Sequence, residues 1–176
     1  GRDSRRYQGD AMTHVDQIPT AFTPDGGYGE AGVAKSARSM PAPILEGCTT
    51  PLSEGAPDLR GTWRVVDVRS NGEPLKSEDP IWSHVERIEQ AGNRAIVTGG
   101  GVIHDFRSCD GTLENGVHDV MAADYVTQIT VAASYEDGVL VLRPEGAPGF
   151  EVKRWIEGDE LVWDFSSIFV ARLQRV

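Results

Sequence analysis

At 176 residues the chain allows one compact domain plus an extension, and its formal charge is −10. After position 57 the sequence carries twenty acidic against twelve basic residues, which argues against a nucleic-acid or anionic-membrane partner. No apolar run approaches the ~20 residues that a bilayer-spanning helix needs.

Residues 1–57 hold eight Gly and six Pro and show little periodicity. The first Met is Met12, so residues 1–11 read as a tag, a scar or an early start. Thr23-Pro24-Asp25-Gly26-Gly27 is a turn cluster, and Glu30 to Arg38 is the one helical candidate, weakened by Gly32. Composition alone predicts disorder here. If this arm is ordered, something outside it holds it. Its apolar residues Val15, Ile18, Phe22, Tyr28, Val33, Met40, Ile44 and Leu45 are spread singly, as in a peptide draped over a long surface. The acidic remainder of the chain offers few apolar places, so residues 12–57 are expected to lie against another protein chain, a second copy or a different subunit. Leu45-Glu46-Gly47-Cys48 is no lipoprotein box, because Glu46 fits poorly and Lys35, Arg38, Pro41 and Pro43 interrupt the approach. Without a signal peptide the expected location is cytoplasmic, with reduced thiols, although a Cys48–Cys109 bridge is left open.

Strand signals begin at Trp63 and run to the last residue. Trp63 to Arg69 ends at Ser70-Asn71-Gly72. Glu73 to Trp82 is a polar, Pro-bounded crossing. Ser83 to Gln90 places His84, Glu86, Ile88 and Gln90 on one face, and Ala91-Gly92-Asn93 turns the chain into Arg94 to Thr98. Gly99-Gly100-Gly101 predicts a sharp bend or a close backbone approach. Val102 to Arg107 and Val117 to Val120 follow. Thr127 to Tyr135 alternates, with Ile129, Val131, Ala133 and Tyr135 sharing a face. Val139 to Arg143, Phe150 to Ile156, Glu160 to Phe165 and Phe169 to Val176 complete eight to ten short strands, linked mostly by hairpins. Such spacing means an antiparallel sandwich or an up-and-down barrel, and the barrel is preferred. The domain division is therefore an extended arm, residues 1–57, and an all-β barrel, residues 58–176.

Gly61-Thr62-Trp63 at the start of the first strand, the meander of short strands and the Arg-bearing last strand together resemble the lipocalin and fatty-acid-binding proteins, the calycins. The resemblance covers residues 58–176. It implies that the last strand lies beside the first, with an arginine stacked on Trp63; Gly61, Trp63 and Arg175 are the closure residues. It also implies a short helix or lid over the open end. Fatty-acid-binding proteins hold a carboxylate with an Arg-x-Tyr pair on the closing strand. Here the sequence reads Arg172-Leu173-Gln174, so Gln174 stands where the Tyr would be. Arg172 and Gln174 are expected to face the cavity, with Trp82 and His84 at its mouth.

Other chemistry is thinner. His104-Asp105 and His118-Asp119 are equidistant from Gly111, and a symmetric fold-back would bring the two imidazoles together for a metal, a haem or general-base work; a hairpin at Asn115-Gly116 would break that register. Cys109 has no dyad or zinc spacing. Glu86 and Glu89 lie on opposite strand faces, and no Gly-x-Ser-x-Gly occurs. No cofactor is expected. The leading expectation is a non-catalytic binder of a small apolar or amphipathic molecule. The alternatives are an accessory subunit anchored through its arm and, more weakly, a barrel enzyme or haem protein using His104 and His118.

Overall fold

The structure, a computed structural model, describes residues 13–176. Residues 1–12, which include the suspected tag and Met12, lie outside the described residues. The strands are β1 (Gly61–Ser70), β2 (Glu73–Pro74), β3 (Val85–Ala91), β4 (Arg94–Gly99), β5 (Val102–Phe106), β6 (Val117–Val120), β7 (Gln128–Glu136), β8 (Val139–Pro144), β9 (Val152–Glu157), β10 (Glu160–Phe165) and β11 (Phe169–Arg175). They form one antiparallel sheet in the order β5-β4-β3-β1-β11-β10-β9-β8-β7-β6, with the short β2 on β1. The first strand pairs with the last and the consecutive strands β5 and β6 do not pair, so the sheet curls into a nearly closed up-and-down antiparallel barrel. Its two end strands, β5 and β6, flank a seam.

Strand alternation sorts the side chains. The lumen takes Trp63, Val65, Ile88, Ala95, Val97, Phe106, Val131, Ala133, Leu140, Leu142, Leu161, Trp163, Ala171 and Leu173. Leu59 and Trp63 are fully buried at one end, where Arg175 stacks on Trp63 across the β1–β11 register Trp63↔Arg175. Gly99-Gly100-Gly101 does both things expected of it. Gly100 and Gly101 make the β4–β5 turn at positive φ, and Tyr125 donates to the Gly100 carbonyl so closely that a Cβ on Gly101 would collide with the Tyr125 hydroxyl. The polar crossing forms a single short 3-10 turn, Pro80–Ser83, capped by the Asp79 side chain on the Ile81 amide.

The arm does not form the helix suggested by Glu30 to Arg38. Gly32 takes a φ of +83°, and only a 3-10 turn at Lys35–Ala37 survives. The larger correction is where the arm lies. Residues 13–57 pack on their own barrel, against the outer face of β3–β5. Val15, Tyr28 and Leu45 are buried there with Ala91, Ile96 and Ile103, and Ile18, Ala21, Met40, Ile44 and Cys48 fill in around them. The arm's order therefore needs no second chain. The acidic composition hid this apolar face, because β4 is buried along its whole length and on both sides.

Polar groups fasten the arm as firmly as apolar ones. The buried Arg94 holds Asp105 through Nε (2.9 Å) and Nη2 (2.6 Å). Its remaining protons go to the carbonyls of Val15, Ile18 and Pro19. Arg107 adds a bond to the Ile18 carbonyl, and Glu89 accepts from the Leu45 amide. Cys48 and Cys109 are both free: Cys48 lies in the arm, packed against the outer face, and Cys109 in the lumenal core, so the bridge left open by the sequence is not formed. No helix of the described residues is long and apolar enough to cross a membrane.

Candidate functional site

Glu86, Arg154 and Trp163 bring polar groups to the lumenal face of their strands. Glu86 precedes Ile88 on β3, Arg154 lies between Val152 and Ile156 on β9, and Trp163 faces inward from β10 beside Arg154 in register. The barrel brings them together. Arg154 grips Glu86 in a bidentate pair, Nε to Oε2 at 2.8 Å and Nη2 to Oε1 at 3.1 Å. His84 Nε2 donates to the same carboxylate at 2.8 Å. The His84 ring stacks on Trp163, with centroids 4.6 Å apart, and the Arg154 guanidinium lies 5.2 Å from the Trp163 ring centre. Glu86 is fully buried, and burial alone would push its carboxyl up. The Arg154 charge and the His84 and Arg154 hydrogen bonds outweigh that and hold it at about 2, so it is ionised at neutral pH.

Two donors in this cluster have no partner among the described residues: Arg154 Nη1 and Trp163 Nε1, both buried. The closed end of the same lumen differs. There Gln90 accepts from the Leu59 amide and donates to the Pro57 carbonyl and the Tyr135 hydroxyl, and Trp63 donates to the Leu59 carbonyl. An unpaired buried donor costs about 1–3 kcal/mol. The lumen is thus satisfied at its base and under-satisfied in its middle.

Above the cluster lies an aromatic layer. Phe165 and Phe169 stack at 5.1 Å, Phe150 meets Phe165 edge-on at 5.4 Å, and Phe169 meets Trp163 edge-on at 5.0 Å. Ile81 and Trp82 of the 3-10 turn pack against this core, and Trp82 Nε1 donates to the Leu75 carbonyl.

Of the residues expected from sequence to line the cavity, Trp82 and His84 border the lumen. Arg172 and Gln174 do not, and this is a correction. On β11 the inward series is Phe169, Ala171 and Leu173, so Arg172 and Gln174 point outward, where they bind Glu157 and Glu160. The closure residues are together: Arg175 lies over Trp63, and a Cβ on Gly61 would stand 3.2 Å from Arg175 Nε. His104 and His118 are apart. His104 faces the lumen and donates from Nε2 to the Val120 carbonyl, while His118 is exposed and its Nδ1 lies 3.5 Å from the Thr130 hydroxyl. Across the seam the His104 ring meets the Val120 carbonyl rather than His118, which ends the paired-imidazole idea. Burial also holds the His104 imidazole below its ordinary value. Among the described residues no group of three or more His, Cys, Asp or Glu could hold a metal ion.

No family model matches this chain, and no curated protein matches it either. Among solved structures it is similar to human cRBP IV, at 16% identity and a TM-score of 0.49, over 68% of this chain and 98% of that one.

Sequence reasoning missed Glu86, Arg154 and Trp163 as a unit. The available signal was a charge of each sign in the inward phase of two separate strands. Their 68-residue separation hid the pairing.

Proposed function

We propose that the barrel lumen binds a small amphipathic molecule, with one hydrogen-bond-accepting oxygen placed between Arg154 Nη1 and Trp163 Nε1 and its apolar body among Phe150, Phe165 and Phe169. The observation that carries this reading is the pair of buried, unpartnered donors in an otherwise apolar and internally satisfied lumen. An acceptor oxygen would satisfy both donors, and no buried acceptor of the cluster is left over to require a donor in return. Glu86 already balances the charge of Arg154 and, with His84, fixes its guanidinium, so the ligand meets a preorganised fork rather than a mobile side chain. The role is one of binding, with the ring stack of His84, Trp163 and Arg154 as its reporter.

The test is a titration with a fluorescent fatty acid, read also through tryptophan emission. Trp163→Phe keeps the ring and removes the donor; it should weaken binding on the order of ten-fold, the equivalent of one buried hydrogen bond. Arg172→Leu, on the outer wall, should leave affinity unchanged. Equal affinity in wild type and Trp163→Phe, or loss of binding in Arg172→Leu alone, would remove the lumenal site.

A further inference from the structure

We propose that arm residues 20–23 close a lateral passage into the lumen, between β5 and β6; this rests on the lumenal binding reading above. The seam is the one place where neighbouring walls of the barrel share no ladder. Three direct links cross it: His104 Nε2 reaches the Val120 carbonyl at 2.9 Å, and beyond the strand ends Ser108 N donates to the Asn115 carbonyl at 3.2 Å and Tyr125 donates to the Gly100 carbonyl at 2.9 Å. The arm supplies the rest from outside. Ala21 N donates to Asp105 Oδ2 on β5 at 2.9 Å, and Thr23 N donates to Asp119 Oδ2 on β6 at 3.0 Å. Alternate amides of one extended segment thus clasp both edges. The Thr23 hydroxyl also accepts from the Ile103 amide at 3.0 Å.

Beside the clasp is a surface cleft of about 140 Å³. Thr20, Ala21 and Phe22 border it, with the exposed His118 and with Val117, a member of the lumenal core. The segment thus covers the seam from its solvent side. The other route, through the mouth, is obstructed by the packed layer of Phe150, Phe165 and Phe169 under Trp82.

The clasp is built to open reversibly. When Ala21 leaves, Asp105 keeps both bonds from Arg94; when Thr23 leaves, Asp119 keeps the Val120 amide. Neither buried carboxylate is orphaned. Phe22, between the two amides, is 61% exposed, so lifting the segment uncovers little apolar surface. Firm anchors flank it: Val15, Ile18 and Pro19 are held by Arg94, and the Tyr28 amide binds the Gly101 carbonyl. Gly26, at a φ of +78° with open space around its Cα, supplies a pivot between clasp and anchor.

Stopped-flow binding of the fluorescent fatty acid to the full chain tests this, with Thr23→Val and Asp119→Ala as variants. Each weakens the clasp and touches neither Arg154 nor Trp163. Association and dissociation rate constants should rise together, on the order of five-fold, as loss of one hydrogen bond shifts a closed–open equilibrium, with Kd unchanged. Hydrogen exchange at the Ala21 and Thr23 amides should quicken by the same factor. If Kd is unchanged and both rates match wild type while those amides exchange faster, ligand does not pass the clasp and the gate is overturned. A rise in the dissociation rate alone also overturns it, because the segment would then be part of the binding site. Failure of the fatty acid to bind wild type at all would instead sink the lumenal reading, and the gate with it.

Discussion

The guanidinium carbon of Arg175 lies 4.2 Å from the centre of the Trp63 ring, and the two residues are direct partners between the first and last strands of the barrel. Arg175 also donates to the Arg60 carbonyl, and Trp63 donates to the Leu59 carbonyl, so the lead-in to β1 is tied to both. Gly61 makes room: its φ is +143°, and the Arg175 side chain crosses where a Cβ would stand.

Trp63 carries most of the energy in that arrangement. It is fully buried and surrounded by the lumenal core. Trp63→Ala should cost ~3–5 kcal/mol in urea melts, the range for a large core aromatic. Arg175→Ala loses an exposed cation–π contact and the bond to the Arg60 carbonyl, and should cost ~1 kcal/mol. Equal losses for the two variants would mean that the arginine, not the burial, closes the barrel.

The barrel was legible because its signals are local. Hairpin turns, the two-residue alternation of β3 and β7, and Gly61-Thr62-Trp63 each need only neighbouring residues. Facing was harder. Arg172 and Arg175 differ only in phase, and the fatty-acid-binding resemblance favoured the wrong one for the lumen. The run Ala95-Ile96-Val97, buried on both faces, went unread as a covered strand, because the acidic composition suggested few apolar places on the barrel for the arm. The Glu86–Arg154 pair and the arm contacts of Glu89, Arg94, Asp105 and Asp119 join residues 44 to 96 apart, beyond any periodicity.

The buried Glu86–Arg154 pair should dominate acid sensitivity. Glu86→Gln leaves Arg154 charged and poorly paired, and should cost ~3–5 kcal/mol at pH 7. The carboxyl of Glu86 is held at about 2 in the fold, against an ordinary value of 4.5. A lowered carboxyl stabilises the fold fully above its unfolded value, and that stabilisation fades as pH falls from there toward the folded one. Glu136 and Asp124 also sit near 2 but lie in water, so their share is small. Urea midpoints for wild type should therefore fall steeply between these two values, and those of Glu86→Gln less so. Parallel curves would assign the acid sensitivity elsewhere.

The two thiols should behave differently. Burial pushes the Cys109 thiol up to about 12, inside the lumenal core, so almost no thiolate forms at pH 8. Cys48 is half-buried in the arm, its Sγ 3.6 Å from the Thr50 hydroxyl. A disulfide reagent should label one thiol per native chain, and mass mapping should place it at Cys48. Labelling of Cys109 at the same rate would mean that the closed end of the barrel opens to solvent.

Arg94 should prove to be the residue that couples arm and barrel. It is 2% exposed, it neutralises a buried carboxylate, and it spends its other protons on three arm carbonyls. Arg94→Ala strands Asp105 as an unpaired buried charge and should cost ~3–5 kcal/mol. The loss should be uneven. Amides of residues 13–30 should lose hydrogen-exchange protection first, while β7 to β10, which touch no part of the Arg94 cluster, keep theirs. A chain beginning at Asp58 should go further and expose Ala91, Ile96 and Ile103, so that it binds a naphthalene-sulfonate dye on the outer wall. If the Arg94→Ala chain keeps arm protection at the wild-type level, apolar packing of Val15, Tyr28 and Leu45 alone holds the arm. The polar fastening would then serve only to bury Asp105 safely.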